Sequence, residues 1–123
     1  MLAELKNELQ SQLHIKELDV TKSCAQRNLE SLIQEMQGVD IIVISAGTGD
    51  LDTSWETEKE TNVLGFTYMA NAAFQYFSHK DSGHIVGISS IGAIRGGTAP
   101  AYNASKAFVV NYLQGLRLSL IHI

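Results

Sequence analysis

Short apolar runs alternate with long helical patterns along this chain of 123 residues, and that alternation constrains the fold most. Two apolar runs fit buried strands, residues 40–44 and 84–90, and residues 14–20 are a further candidate strand. Three segments have the periodicity of helices: residues 21–37, 54–79 and 102–120. Strands that alternate with helices are typical of βαβ units, in which the strands run parallel. The sequence therefore predicts an α/β fold with a parallel sheet.

A tyrosine and a lysine stand four residues apart in the last predicted helix. Tyr102 and Lys106 therefore lie on one helix face, with their Cβ atoms about 5–6 Å apart. An ammonium group at that range favours the phenolate form, which suits a tyrosine for general acid or base catalysis. Because an ordinary amphipathic helix could also carry such a pair, the neighbouring segments decide its interpretation.

Small, hydroxyl-bearing or acidic residues stand at the end of each predicted strand. Ser89 and Ser90 end the predicted strand 84–90, and Ser45-Ala46-Gly47 follows the predicted strand 40–44. Asp19-Val20-Thr21 stands at the end of the candidate strand 14–20. Ligands of open α/β sheets bind outside the carboxyl ends of the strands. These segments, together with the tyrosine helix, are therefore the candidate site.

Taken together, the segments resemble the classical short-chain dehydrogenase/reductase family. The matching motifs, in the family's order and near its spacing, are Asp19-Val20-Thr21, Ser45-Ala46-Gly47, Trp55 with Asn62-Val63-Leu64-Gly65, Gly87-Ile88-Ser89-Ser90, and Tyr102 with Lys106. Ser45 stands where the family has asparagine, which weakens the turn-stabilising role of that position. The resemblance covers nearly the whole chain. It implies one partial domain over residues 1–123, a Rossmann-like doubly wound parallel sheet with helices on both faces.

The resemblance also implies an NAD(P)-dependent oxidoreductase that interconverts a carbonyl and a secondary alcohol by hydride transfer. Tyr102 would exchange a proton with the substrate oxygen, and Ser90 would hydrogen-bond that oxygen. Lys106 would act on the tyrosine and bind the nicotinamide ribose, and Asn62 would hold a water that links the lysine to solvent. Spacing alone favours Ser89 over Ser90; the motif favours Ser90, since loops absorb deletions more readily than strand ends.

The cofactor implied by the resemblance is NAD or NADP. Its expected binding residues are Asp19, Val20, Ser45, Ala46, Gly47, Tyr102 and Lys106. Two of the candidate residues have simpler alternatives. Asp19 could cap the helix that follows it, and Asn62 could be an exposed residue in a helix.

Two parts of the family's domain have no counterpart in this sequence. They are the strand and glycine-rich turn that bind the cofactor pyrophosphate, and the C-terminal lobe that binds substrate. Met1 to Gln12 already has a helical pattern. We therefore expect the 14–20 strand to lack a neighbour, and the chain by itself to be inactive and weakly stable. A truncated or non-catalytic fragment of the fold is the alternative to an enzyme.

Composition and charge limit the partners. A net charge of −4 with scattered basic residues does not suit nucleic acid, and no apolar run could span a bilayer. The single cysteine, Cys24, fits a reducing cytoplasm, and the four histidines show no metal-ligand spacing. Residues 54–79 are apolar on more than one helix face, which predicts either a homo-oligomer interface or contacts with the tyrosine helix. The expected ligand is a small carbonyl compound or alcohol.

Overall fold

The computed structural model describes residues 13–49 and 55–121, so the predicted helix over Met1 to Gln12 lies outside the described residues. The helical elements are α1 Ala25–Glu35, α2 Trp55–Glu58, a π-helical segment Lys59–Gly65, α3 Phe66–Lys80, a 3₁₀ turn Ile91–Ala93 and α4 Pro100–Ile121. The strands are β1 Ile41–Ile44 and β2 His84–Gly87. Among the described residues, no helix is long and apolar enough to cross a membrane.

The two strands pair in parallel, as the sequence predicts. Ile41 lies opposite His84, and Ile44 lies opposite Gly87. The ladder continues one residue further, because Ile88 donates its backbone N–H to Ile44 across 3.0 Å. A parallel pair needs a long crossover, which the helices from Trp55 to Lys80 supply. β2 ends three residues earlier than predicted, so both serines lie beyond the strand.

The strand predicted over residues 14–20 is wrong. The structure assigns no strand there, and Val20 begins a turn in which Lys22 donates to the Asp19 carbonyl across 3.1 Å. A strand exists only by pairing, and no neighbouring strand is present within residues 13–49 and 55–121 to accept this segment. The segment is attached instead by Val20, which is buried against Gly65.

The core lies on one face of the two-stranded sheet. Alternate residues of a strand point to opposite faces, and accordingly Ile44 is buried while Ile41 and Val43 remain 57% exposed. The buried face packs against α3 and α4. Its members include Ile44, Phe66, Met69, Ala70 and Val109. This packing aligns α4 with the strand ends, where the candidate site lies.

The turn between α3 and β2 depends on a glycine. Gly83 has φ +139°, a conformation that L side chains rarely adopt. A Cβ on Gly83 would come within 2.0 Å of Phe77 Cδ1, so the glycine also lets the Phe77 ring pack against the backbone. Lys80, at the end of α3, hydrogen-bonds Asp40 and thereby ties this turn to the start of β1.

Some of the apolar residues of 54–79 contact the tyrosine helix, which is one of the two predicted alternatives. The Phe66 ring meets the Tyr112 ring edge to face, with centroids 6.2 Å apart, and Asn71 accepts a hydrogen bond from the Tyr112 hydroxyl across 2.6 Å. These contacts join α3 to α4 within one subunit. Leu64 and Tyr68, however, remain 42% and 51% exposed.

Candidate active site

Lys106 and Tyr102 meet where β1 and β2 end. Lys106 is 6% exposed, and its Nζ donates a hydrogen bond to the backbone carbonyl of Ile88 across 3.2 Å. The same Nζ lies 5.7 Å from the centroid of the Tyr102 ring, within the range of a cation–π contact. The structure therefore brings the predicted pair together at the edge of the sheet where α/β folds bind ligands.

Asn62 is buried beside this pair, so the structure excludes the alternative of an exposed helix residue. Its side chain is 1% exposed and bonds the loop after β1 in two directions. Its Oδ1 accepts the Thr48 backbone N–H across 2.8 Å, and its Nδ2 donates to the Thr48 carbonyl across 2.7 Å. This two-way contact holds the loop that contains Ser45-Ala46-Gly47 over the helix that carries Asn62.

Two further buried polar side chains complete the cluster around Asn62. Its Nδ2 also donates to Glu58 Oε2 across 2.8 Å and to Ser105 Oγ across 3.0 Å. Glu58 and Ser105 are each 1% exposed, and Ser105 Oγ additionally donates to the Tyr102 carbonyl across 2.8 Å. Buried polar groups need such partners, because each unmade hydrogen bond costs about 1–3 kcal/mol. Three elements of the fold thus meet in one polar cluster.

Two glycines of the loop after β1 make room for Lys106 and Tyr102. A Cβ on Gly47 would lie 2.9 Å from Lys106 Nζ. A Cβ on Gly49 would lie 2.4 Å from Cε2 of the Tyr102 ring. Both side chains can approach the loop backbone only because neither glycine has a side chain.

The two serines after β2 have different partners. Ser89 Oγ donates to the Lys106 backbone carbonyl across 2.9 Å, so its hydroxyl hydrogen is engaged with α4. Ser90 Oγ accepts the Gly92 backbone N–H across 3.2 Å and caps the 3₁₀ turn. As an acceptor, Ser90 retains its own hydroxyl hydrogen for another partner. Both serines are half-buried.

Asp19 stands apart from the polar cluster and is exposed. Its carboxylate accepts hydrogen bonds from the Thr21 hydroxyl at 2.7 Å and from the Thr21 backbone at 2.9 Å. These two hydrogen bonds lower the pKa of Asp19 below its ordinary value of 3.8. The contacts form a local turn before α1, and the capping alternative is wrong, because the N-cap of α1 is Cys24. Ser45 and Ala46 are exposed at the end of β1, and Val20 is buried in the core.

Sequence reasoning missed Glu58, Thr48 and the π-helical segment. The spacing of Glu58 and Asn62 is four residues, which places them on one helix face and is the only local signal of their contact. The Phe66 backbone N–H reaches the Thr61 carbonyl, five residues back, in a segment from Lys59 to Gly65. Single π turns of this kind are frequent at functional sites, but they have no distinctive sequence pattern.

The chain belongs to the short chain dehydrogenase family, whose sequence model matches residues 1–122. Its solved relatives share the Rossmann-type fold, which confirms the predicted fold class. The crystal structure of serine dehydrogenase from Escherichia coli superposes with a TM-score of 0.85 at 35% identity. That match covers 97% of this chain and 59% of the solved one. A second serine dehydrogenase structure, solved with NADP+, has a TM-score of 0.82 at 32% identity and covers 97% of this chain and 52% of that chain.

Curated relatives give the same family and a consistent cofactor class. The NADP-dependent 3-hydroxy acid dehydrogenase YdfG of Escherichia coli K12 is 35% identical over 129 aligned positions, which cover 97% of this chain and 52% of the relative. An uncharacterized oxidoreductase of Myxococcus xanthus is 37% identical over 85% of this chain and 45% of its own length. The chain therefore spans about half the length of the curated relatives it matches. The predicted cofactor class, NAD or NADP, agrees with these names.

The described residues fit one end of such a cofactor. The side-chain-free backbone at Gly47 and Gly49 leaves an exposed loop edge beside Lys106 and Tyr102. A ligand that carries a ribose hydroxyl could approach the Lys106 ammonium there, since lysine is a donor with three hydrogens. Within residues 13–49 and 55–121, no group of three histidine, cysteine or acidic side chains could hold a metal ion.

Proposed function

We propose that the protein carrying this chain is an NAD(P)-dependent oxidoreductase that interconverts a carbonyl and a secondary alcohol. The observation that carries the proposal is the approach of Lys106 Nζ to the Tyr102 ring at the ends of two parallel strands. Membership in the short chain dehydrogenase family supports the assignment of this pair to a dehydrogenase reaction. When bound, the reduced nicotinamide cofactor supplies a hydride to the carbonyl carbon.

In this proposal Tyr102 is the acid and base. Its hydroxyl gives a proton to the carbonyl oxygen during reduction, and its phenolate takes the proton back during oxidation of the alcohol. Ser90 stabilises the charge that develops on the same oxygen. The hydroxyl hydrogen that Ser90 retains supports this role, whereas the hydroxyl hydrogen of Ser89 is engaged with the Lys106 carbonyl.

In this proposal Lys106 and Asn62 assist proton transfer by Tyr102. The Lys106 ammonium favours the phenolate electrostatically and binds the nicotinamide ribose. Asn62 holds the water that relays protons from solvent, and its hydrogen bonds to Thr48 and Ser105 support this by fixing it beside α4. Proton relay through one held water keeps the tyrosine supplied during turnover.

The remaining cofactor contacts follow the loop after β1 and the turn before α1. We assign Ser45, Ala46 and Gly47 to the nicotinamide half of the cofactor, beside Lys106. We assign Asp19 and Val20 to its adenine half, where the exposed Asp19 carboxylate is available as an acceptor. NADP is the first cofactor to test, because YdfG is named NADP-dependent.

The names of the relatives also suggest substrates. The first candidates are 3-hydroxy acids and serine, a 3-hydroxy amino acid whose primary alcohol would extend the reaction beyond secondary alcohols. We further propose a homo-oligomer in the cytoplasm. The exposed side chains of Leu64 and Tyr68, on the helical stretch from Lys59 to Lys80, support an interface between copies.

The proposal is tested by following NADPH and NADH consumption, and the reverse reaction with 3-hydroxy acids and serine, in the complete protein that carries this chain. The variant Tyr102→Phe keeps the ring against Gly49 and removes only the hydroxyl group. We expect it to lower kcat by about 10²–10⁴-fold. Tyr68→Phe, an equal change at an exposed site, should leave kcat unchanged. Full activity of Tyr102→Phe would refute the assignment, and no activity of the wild type would favour a non-catalytic member of the fold.

A further inference from the structure

Glu58 is an acidic residue in an unusual place. It is 1% exposed, although Glu56 and Glu60, its neighbours two residues away on either side, are exposed. Moving a carboxyl group from water into a protein interior is unfavourable unless hydrogen bonds compensate for the lost hydration. The mechanism proposed above gives this buried carboxyl group no task.

The partners of Glu58 are the groups that surround the catalytic lysine. Its Oε2 accepts a hydrogen bond from Asn62 Nδ2 at 2.8 Å and lies 3.5 Å from Ser105 Oγ, the residue directly before Lys106. Asn62 in turn bonds Thr48 in both directions. The Glu58 carboxyl group therefore belongs to a cluster of polar groups from the π-helical segment, the start of α4 and the loop after β1.

An amide side chain can be rotated so that its oxygen and nitrogen exchange places, and Glu58 favours the same one of these two orientations as the Thr48 backbone does. A carboxylate accepts but does not donate, so it requires the nitrogen of Asn62 to face it. The oxygen of Asn62 is then left facing the Thr48 backbone N–H. That hydrogen bond fixes the loop in which Gly47 lies against Lys106 Nζ.

We propose that Glu58 is a positioning residue of the active site. It holds the Asn62 amide in one orientation, and through Asn62 it holds Thr48 and the adjoining Gly47 backbone against Lys106. The inference rests on the proposed function for its effect on turnover. Its structural part, the locking of Thr48 by Asn62 and Glu58, stands on the contacts alone.

Two substitutions of similar volume separate this role from simple filling of space. Glu58→Gln keeps an acceptor oxygen for Asn62 Nδ2, whereas Glu58→Met keeps the volume and has no such oxygen. Ser105→Ala is a second route, because it removes the other side-chain acceptor of the Asn62 nitrogen. Glu60→Met is the matched control, an equal change at an exposed position two residues away.

The experiment measures two things on the complete protein: hydrogen exchange of the Thr48 backbone amide by NMR, and kcat and KM with NADPH. We expect Glu58→Met to speed Thr48 exchange and to lower kcat by about tenfold each, with a smaller change in KM. Glu58→Gln should stay within about threefold of the wild type on both, Ser105→Ala should fall between, and Glu60→Met should change neither.

Thr48 amide exchange tests the positioning role, and turnover tests the proposed function, so each can be refuted separately. If Glu58→Met matched the wild type in Thr48 exchange, or if Glu58→Gln were as impaired as Glu58→Met, the positioning role would be refuted. If the wild type showed no turnover while Thr48 exchange followed the expected order, the proposed function would fail and the structural part of the inference would survive. If Thr48 exchange followed that order while the turnover of Glu58→Met was unchanged, the claim that Glu58 acts on catalysis would be overturned.

Discussion

Two segments that are predicted to be strands take different structures. Residues 40–44 are almost entirely apolar, whereas residues 14–20 contain three apolar residues among polar and charged ones, and a helical pattern follows each segment. Residues 40–44 form β1 and pair with β2, while residues 14–20 form no strand and end in a turn. The difference is the presence of a partner strand, and the described residues lack the neighbour of residues 14–20 that the resemblance leads us to expect to be missing.

The polar residues at the ends of the two segments differ in the same way. After β1, Thr48 is held by a buried amide on another helix. At the end of residues 14–20, the Asp19 carboxylate bonds Thr21, the Asp19 carbonyl accepts the Lys22 backbone N–H, and the side chain is exposed. The loop after the paired strand is thus fixed by contacts with other helices at the candidate site, whereas the unpaired segment is held mostly by local contacts.

The largest expected effect is on the buried amide. Asn62→Ala leaves the Thr48 backbone and the Glu58 carboxyl group without their partners, so the free energy of unfolding should fall by about 3 kcal/mol. Asn28→Ala is the matched change in the other region, where the amide makes exposed, long hydrogen bonds to the Glu17 carbonyl at 3.4 Å and to Cys24 Sγ at 4.0 Å, and it should cost less than about 1 kcal/mol. Urea denaturation followed by circular dichroism measures both. Equal costs would remove the distinction between the two regions.

Gly49→Ala tests the close approach of the Tyr102 ring to the loop after β1. The new Cβ would lie 2.4 Å from the ring, so the ring must move by about 1 Å, and a displacement of that size can cost about 10²-fold in kcat. Gly96→Ala is the control, since nothing lies within 4 Å of a Cβ at that position. Steady-state kinetics with NADPH compares them. An active Gly49→Ala variant would mean that the ring position is unimportant for turnover.

Val20→Ala tests how the unpaired segment is attached. The change removes two buried methyl groups, each worth about 0.8 kcal/mol, so it should cost about 1.6 kcal/mol. Hydrogen exchange should accelerate in α1 and remain slow in β1 if Val20 anchors only its own region. Val110→Ala, at a position 37% exposed, should change stability by less than about 0.5 kcal/mol. Uniform acceleration in both elements would show that the two regions unfold together.

The smallest expected effect is on pH dependence. Hydrogen bonds from Thr21 lower the pKa of Asp19, and the hydrogen bond from Lys80 lowers that of Asp40, in both cases below the ordinary value of 3.8. Groups with a lowered pKa in the folded state stabilise it above the ordinary value, and they lose that contribution as the pH falls through the lowered value.

Both carboxylates are exposed, so the resulting decrease in stability below about pH 4 should be slight. Urea midpoints measured between pH 6 and pH 3 would detect it. Asp40→Asn and Asp19→Asn should each flatten the curve in this range. A stability that rose toward acid pH would contradict the sign of both shifts.

The helices and the two paired strands could be predicted because their signals are local. Apolar residues recur with the helical period in 102–120, and the structure has α4 over Pro100–Ile121. The 40–44 and 84–90 runs are rich in apolar side chains, of which Ile42, Ile44 and Ile85 pack in the core. The prediction at 14–20 is wrong because a strand also needs a paired neighbour, which this segment lacks among the described residues.

In the candidate site, too, contacts set by local spacing could be predicted, and those set by long-range packing could not. The spacing of Tyr102 and Lys106 is set by one helix, so the sequence could predict their approach. Glu58 could not be found in this way, because it stands among Glu56, Lys59 and Glu60, a pattern typical of a solvent-exposed helix face. Its burial depends on Ser105, 47 residues away in the chain, and on how α4 packs.

The central claim is that the edge where β1 and β2 end binds a nicotinamide cofactor through Lys106. Titration of NADPH into the complete protein, followed by its fluorescence, tests this most directly with Lys106→Met beside the wild type. Lys59→Met is the control, because that lysine pairs with Glu56 at the surface. We predict micromolar binding in the wild type and the control, and a Kd raised at least about tenfold in Lys106→Met. Equal affinity in all three proteins would contradict the account.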